Sequence, residues 1–165
     1  MTKLEQLKES SKQLQAEISE LRDKYEDIRK QIEQEEINEG QTLVQMNNIV
    51  PESYIVCFNK KSGCFVDNLI TIYEVKSIET NSNSFRCIRS TYFLGGSGYS
   101  SMTAHSIETF SRIKDLSKYY DMYSTNDVVA VTMILNMLTS LKVTDDNYQD
   151  IQKVYFENCD TLTVS

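Results

Sequence analysis

Histidine is nearly absent from this chain: His105 is the only one. Any nucleophile–histidine–acid arrangement must therefore run through it, with Cys64, Cys87 or a serine such as Ser97 as the nucleophile. Nothing near those residues resembles a nucleophile elbow, because Gly95-Gly96-Ser97-Gly98 lacks the spacing. Cysteine numbers four. Cys57, Cys64, Cys87 and Cys159 include no CxxC pair and no histidine-containing knuckle, so a structural zinc site is not expected. Gly95, Gly96 and Gly98 do not make a phosphate loop, since Tyr99-Ser100 stands where a Walker loop needs Lys-Ser or Lys-Thr. Carboxylates are numerous but scattered over predicted solvent faces, with no pair placed for acid–base work. The expectation is no enzyme, no cofactor and no metal.

Long apolar runs are missing as well. None reaches the roughly 20 residues a membrane span needs, and MTKLEQLKES has no apolar core of a secretory signal. Reduced thiols are then expected, in the cytoplasm or as part of a virion or intracellular assembly. Net charge is −7, which argues against wrapping nucleic acid or binding an anionic membrane. The charge is uneven. Lys and Arg against Asp and Glu number 7 and 11 over residues 1–40, 8 and 5 over 54–118, and 2 and 7 over 119–165.

What the sequence does have is a heptad repeat. Leu4, Ser11, Ile18, Tyr25 and Ile32 take the a positions, and Leu7, Leu14, Leu21 and Ile28 take d. A period of 3.5 keeps one narrow stripe turned to a partner helix, which is the pattern of a coiled coil. The flanking e and g positions are all polar, so the stripe is too narrow for an ordinary core helix. Leu at d with Ile18 and Ile32 at a favours two parallel strands, while Tyr25 is large for a dimer seam and leaves a trimer open. In a parallel homodimer Glu17 meets Arg22′ favourably, but Lys3 meets Lys8′ and Lys24 meets Arg29′. Exposed pairs are worth tenths of a kcal/mol, so the seam tolerates them. A heterotypic partner with acidic flanks is the alternative. On the outer face, Glu20→Lys24 and Glu26→Lys30 are i,i+4 pairs in the favourable order.

Gly40 reads as the helix stop, and residues 41–53, with the only proline (Pro51), read as a linker. From Tyr54 the period changes to two. Tyr54–Phe58, Cys64–Val66, Leu69–Glu79 and Phe85–Phe93 read as strands of an antiparallel meander, an open sheet or a small SH3-like barrel. Residues 94–104 read as a Gly- and Ser-rich loop. Ile107, Phe110, Ile113 and Leu116 suggest a helix over 105–118, with a strand through Ser106–Ile113 nearly as good. Thr125-Asn126-Asp127 caps a helix from Val128 to Leu141 that is apolar on most of its circumference and therefore expected to be largely buried. Thr144-Asp145-Asp146 opens a last helix, and the tail from Asp160 is expected to fray.

The expected architecture is thus α+β: a coiled-coil helix (1–40), a linker (41–53) and a small head (54–165) with the meander packed by C-terminal helices. This layout is similar to that of viral or phage structural components and of the coil-plus-head subunits of kinetochores, a likeness of layout that carries no function. The functional expectation is a structural or adaptor protein that oligomerises through its coil and binds another protein through its head. The alternative is a dimeric nucleic-acid regulator. There Phe85 or Tyr92 would stack on bases while Arg86 or Arg89 held the backbone.

Overall fold

The computed structural model describes residues 2–60, 70–79, 81–95, 98–140, 150, 153 and 160–164. The chain divides into two compact units, Met1–Glu36 and Ile37–Ser165. Helix α1 (Lys3–Met46) supplies residues 3–36 of the first and the opening segment of the second. It starts on a capping box: Thr2 N–H donates to Glu5 Oε2 at 2.6 Å and Glu5 N–H donates to Thr2 Oγ1 at 3.4 Å.

The helix does not stop at Gly40, as its sequence suggested. It runs on to Met46 and ends on Asn48, whose φ is 49°. Ile49 N–H donates to Val44 O at 3.0 Å and Asn48 N–H to Gln45 O at 3.4 Å. That crossed pair is the Schellman arrangement with Asn in the left-handed position, and Ile49 lies in the apolar cluster against which Val44 packs. Residues 41–53 are correspondingly not a free linker, for Leu43 and Ile49 are buried in the head's core. A tight turn follows. Ser53 N–H donates to Val50 O at 3.0 Å, with Pro51 and then Glu52 (φ 68°) at its centre, as a type II turn requires.

The head is a six-stranded antiparallel sheet in the order β4-β3-β2-β1-β5-β6. Its strands are β1 (Tyr54–Asn59), β2 (Ile70–Glu79), β3 (Ser84–Gly95), β4 (Gly98–Thr109), β5 (Tyr120–Thr125) and β6 (Asp160–Thr161). Helix α2 (Phe110–Leu116) follows β4 and helix α3 (Val128–Ser140) follows β5. The α+β class is as expected, and among the described residues the strands form an open sheet with β4 and β6 at its edges rather than a closed barrel. The expected strand Cys64–Val66 and the start of the last helix, from Thr144, lie outside the described residues.

Three local expectations are corrected. Most of 94–104 is not loop: Gly95 pairs with Gly98 and β4 runs from there to Thr109. The helix expected over 105–118 begins only at Phe110, where Thr109 accepts Arg112 N–H at 3.2 Å as N-cap. Ile107 lies on the strand side of that cap and is 64% exposed, so it never belonged to the Phe110–Ile113 face. The tail is not frayed either, since Leu162 N–H donates to Met122 O at 2.8 Å and its side chain is buried. Asp127 caps α3 as expected, accepting from Val129 N–H at 2.8 Å. Among its described side chains Ala130 and Val131 are covered, but Val128, Val129 and Met133 are more than half exposed.

Strand alternation sorts the sheet's side chains onto two faces. One carries Ile55, Cys57, Tyr73, Val75, Phe85 and Cys87, on which Leu43, Phe110, Ile113 and Leu162 pack. A bulge between Val75 and Ser77 restores Ile78 to that face opposite Phe85. The other carries Val56, Phe58, Ile70, Ile72 and Tyr123, equally buried, with Phe58 and Tyr123 edge to face at 5.9 Å.

Candidate functional site

In the first unit, the eight apolar seam residues Leu4, Leu7, Leu14, Ile18, Leu21, Tyr25, Ile28 and Ile32 are 51–65% exposed, and Ser11 is exposed with them. A polar helix surface does not require such a row, and water penalises it. Around the stripe, Lys24 pairs with Glu20 at 2.6 Å and Arg29 with Glu26 at 3.4 Å. The first of these is the pair the spacing indicated; the second uses Arg29 in place of Lys30. Both cations therefore carry an acid from their own helix.

In the second unit the sheet's inner face holds a cavity of about 300 Å³. Thr71, Tyr73, Arg89 and Thr91 line it from β2 and β3, and Arg112 closes it from α2. Cys57, Met102, Leu116 and Tyr120 complete the wall. Register explains the grouping, because Thr71 pairs with Thr91, Tyr73 with Arg89, and Thr71 again with Cys57. Behind the arginines stands Glu108, whose side chain is only 2% exposed. Arg89 Nη1 donates to its Oε1 at 3.3 Å, and Arg112 Nη1 lies 3.0 Å from Oε2, at an angle that makes an ion pair but not a hydrogen bond. The reading of all carboxylates as solvent-facing fails here. A buried carboxylate needs such partners, and two guanidiniums supply them.

The cluster is not balanced. Two arginines against one glutamate leave one positive charge, and the buried Nε of Arg89 has no hydrogen-bond partner among the described residues. Burial pushes the Tyr73 phenol well above its usual range, so it stays protonated and can donate. Burial alone likewise raises the Cys57 thiol. Such a thiol is a poor nucleophile at neutral pH.

The structure separates the other residues singled out from sequence. Phe85 and Arg89 lie on the inner face, Arg86 and Tyr92 on the outer. Both rings are buried, Phe85 to 0% and Tyr92 to 7% exposure, so neither is open for base stacking. Arg86 is exposed and tied to Glu79 at 3.0 Å. The interleaving of basic and aromatic residues was thus a strand's two faces read as one. His105 is exposed on β4 opposite Ile88, on the other face from Cys87, whose sulfur sits 3.2 Å from Ser106 Oγ. Cys57 and Cys87 are free and buried. Cys64, Ser97 and Cys159 lie outside the described residues. Among the described residues no cluster of metal-ligating side chains occurs and no helix is long and apolar enough to cross a membrane.

The charged cavity escaped sequence reading because Arg89 and Glu108 are 19 residues apart and meet only through β3–β4 pairing. Comparison with protein-family models, curated proteins and solved structures finds no match.

Proposed function

We propose that the protein is a non-enzymatic assembly or adaptor component. Residues 3–36 zip against a second copy of the chain, and the head presents a protein-binding surface. The observation that carries this reading is the exposed heptad stripe. Covering eight half-exposed apolar side chains supplies on the order of 10 kcal/mol per helix before ordering costs, using the usual value per buried residue. That is enough to hold a stable pair.

A second copy is favoured over an acidic foreign helix by the ion pairs on the flanks. Lys24 and Arg29 would face one another across a parallel homodimer, yet each is already neutralised by its own helix. The repulsion that would select a heterotypic partner is therefore weakened at that point.

Ser11→Cys in the full chain tests both association and direction. In a parallel, in-register pair its two sulfurs meet across the seam and oxidise to a cross-link on non-reducing gels. Lys12→Cys, one position round the helix, serves as control. Cross-linking of Ser11→Cys no greater than of Lys12→Cys contradicts the proposal.

A further inference from the structure

The charged cavity of the head has the make-up of a ligand site, and its chemistry is independent of the assembly reading. At about 300 Å³ it lies at the lower end of small-molecule pockets. Its floor is polar without being satisfied. Thr71 and Thr91 are buried residues that line it, with no side-chain hydrogen bond among the described residues. Its one full surplus charge is positive, because Glu108 offsets only one of Arg89 and Arg112. Each guanidinium has five N–H donors, and Glu108 uses few of them, the buried Nε–H of Arg89 remaining unmatched. Arg112 is 57% exposed and can swing at the mouth without unfolding anything.

From this arrangement we propose that the cavity binds a carboxylate group carried by a short apolar or aromatic body. One surplus positive charge matches the single charge of a carboxylate better than the near-double charge of a phosphate monoester. The planar fork of Arg112, with the Thr71 and Thr91 hydroxyls that line the cavity, supplies donors around two coplanar oxygens. Met102, Leu116 and the ring of Tyr120 provide wall for the body. Glu108 is the positioning residue: it fixes both guanidiniums and lowers their joint charge so that a dianion is not preferred. The same chemistry is presented by a free small acid and by the C-terminus of a protein.

The test is titration of the full chain, labelled at methionine methyls, with phenylacetate and 3-phenylpropanoate, each against its primary amide. Met102 reports the cavity, and Met133, on α3, reports non-specific effects. The expected result is a saturable shift of Met102 alone, with sub-millimolar to millimolar affinity for the acids and about tenfold weaker binding of the amides. Arg112→Gln should cost the acids about tenfold and leave the amides unchanged, which separates lost charge from lost fold. Thr91→Val, nearly isosteric, should weaken the acids about threefold to tenfold, a second check if Arg112→Gln is poorly folded. A further arm compares Gly-Gly-Phe with its C-terminal amide. Tighter binding of the free tripeptide than of the short acids points to a chain terminus as the source, and the reverse to a small molecule. Either result supports the proposal. Amides binding as well as acids, full acid affinity in both variants, or no saturable Met102 shift up to about 20 mM of any probe overturns it.

Discussion

Asn47 clasps the backbone of Thr163 at both ends. Its Oδ1 accepts the Thr163 N–H at 2.6 Å and its Nδ2 donates to the Thr163 carbonyl at 3.0 Å, while also donating to Leu43 O at 3.0 Å. One side-chain amide thereby acts as an extra peptide unit, tying the C-terminal segment to the end of α1. Asn47→Asp keeps the acceptor but sets a negative oxygen against two carbonyls. It should lower stability by about 2–3 kcal/mol, and Asn47→Ala by about 2 kcal/mol, in urea denaturation. Equal stability of all three proteins would show that the tail is not held there.

Gly40 belongs to a close approach and not to a helix end. A Cβ at this position would stand 2.1 Å from Asn83 Oδ1 and 3.3 Å from Phe110 Cβ. The Asn83 amide is itself buried without a hydrogen-bond partner among the described residues, so it contributes volume at a polar cost. Gly40→Ala alone should destabilise by about 1 kcal/mol despite the better helix propensity of alanine. Combined with Asn83→Ala the penalty should vanish or reverse. A double-mutant cycle measures this, and simple additivity would refute the steric link.

Glu108, itself almost out of reach of water, holds two partly exposed arginines. Glu108→Gln leaves both guanidiniums facing a neutral group and should cost about 2–3 kcal/mol, below the full penalty of a buried pair because Arg112 is half exposed. Arg112→Gln should cost only about 1 kcal/mol. Urea midpoints in that order support the account; the opposite order contradicts it.

Alkali should weaken the fold through Cys57 and Tyr73. Burial raises both above their ordinary values of 9.0 and 10.0, and it moves Cys87 and Tyr92 the same way. The unfolded chain therefore loses these protons first as pH rises. Their stabilising effect is complete below about pH 8 and declines progressively above about pH 9. The urea midpoint should be flat from about pH 7 to 8 as far as these groups act, then fall, and the fall should be shallower in Cys57→Ala, with Cys87 still setting its onset. A midpoint that rises above pH 9 would reverse the sign of the argument.

What could be read from the sequence was whatever rests on local period. The helical stripe from Leu4 to Ile32, the alternation through Tyr54–Phe58 and Leu69–Glu79, and the cap at Asp127 are all nearest-neighbour signals. The helix end was misplaced because Gly40 carries the usual residue type for a cap, whereas Asn48 carries the geometry; Asn47-Asn48 followed by Pro51 was the signal to weigh against it. Strand β4 was hidden by its serines and threonines, and by Ile107 falling by chance in step with Phe110 and Ile113. The cavity was not legible at all. Arg89, Glu108 and Arg112 come together only when two strands and a short helix pair, and no local pattern encodes that meeting.

The central claim is that the seam in residues 3–36 is covered by another copy of the same chain. Sedimentation equilibrium of the full chain, beside a Leu14→Glu, Leu21→Glu variant, tests it most directly. The account predicts a mass of two or three chains for the parent at micromolar concentration and of one chain for the variant, with the head still folded. A parent that sediments as a single chain across the accessible concentration range would contradict it.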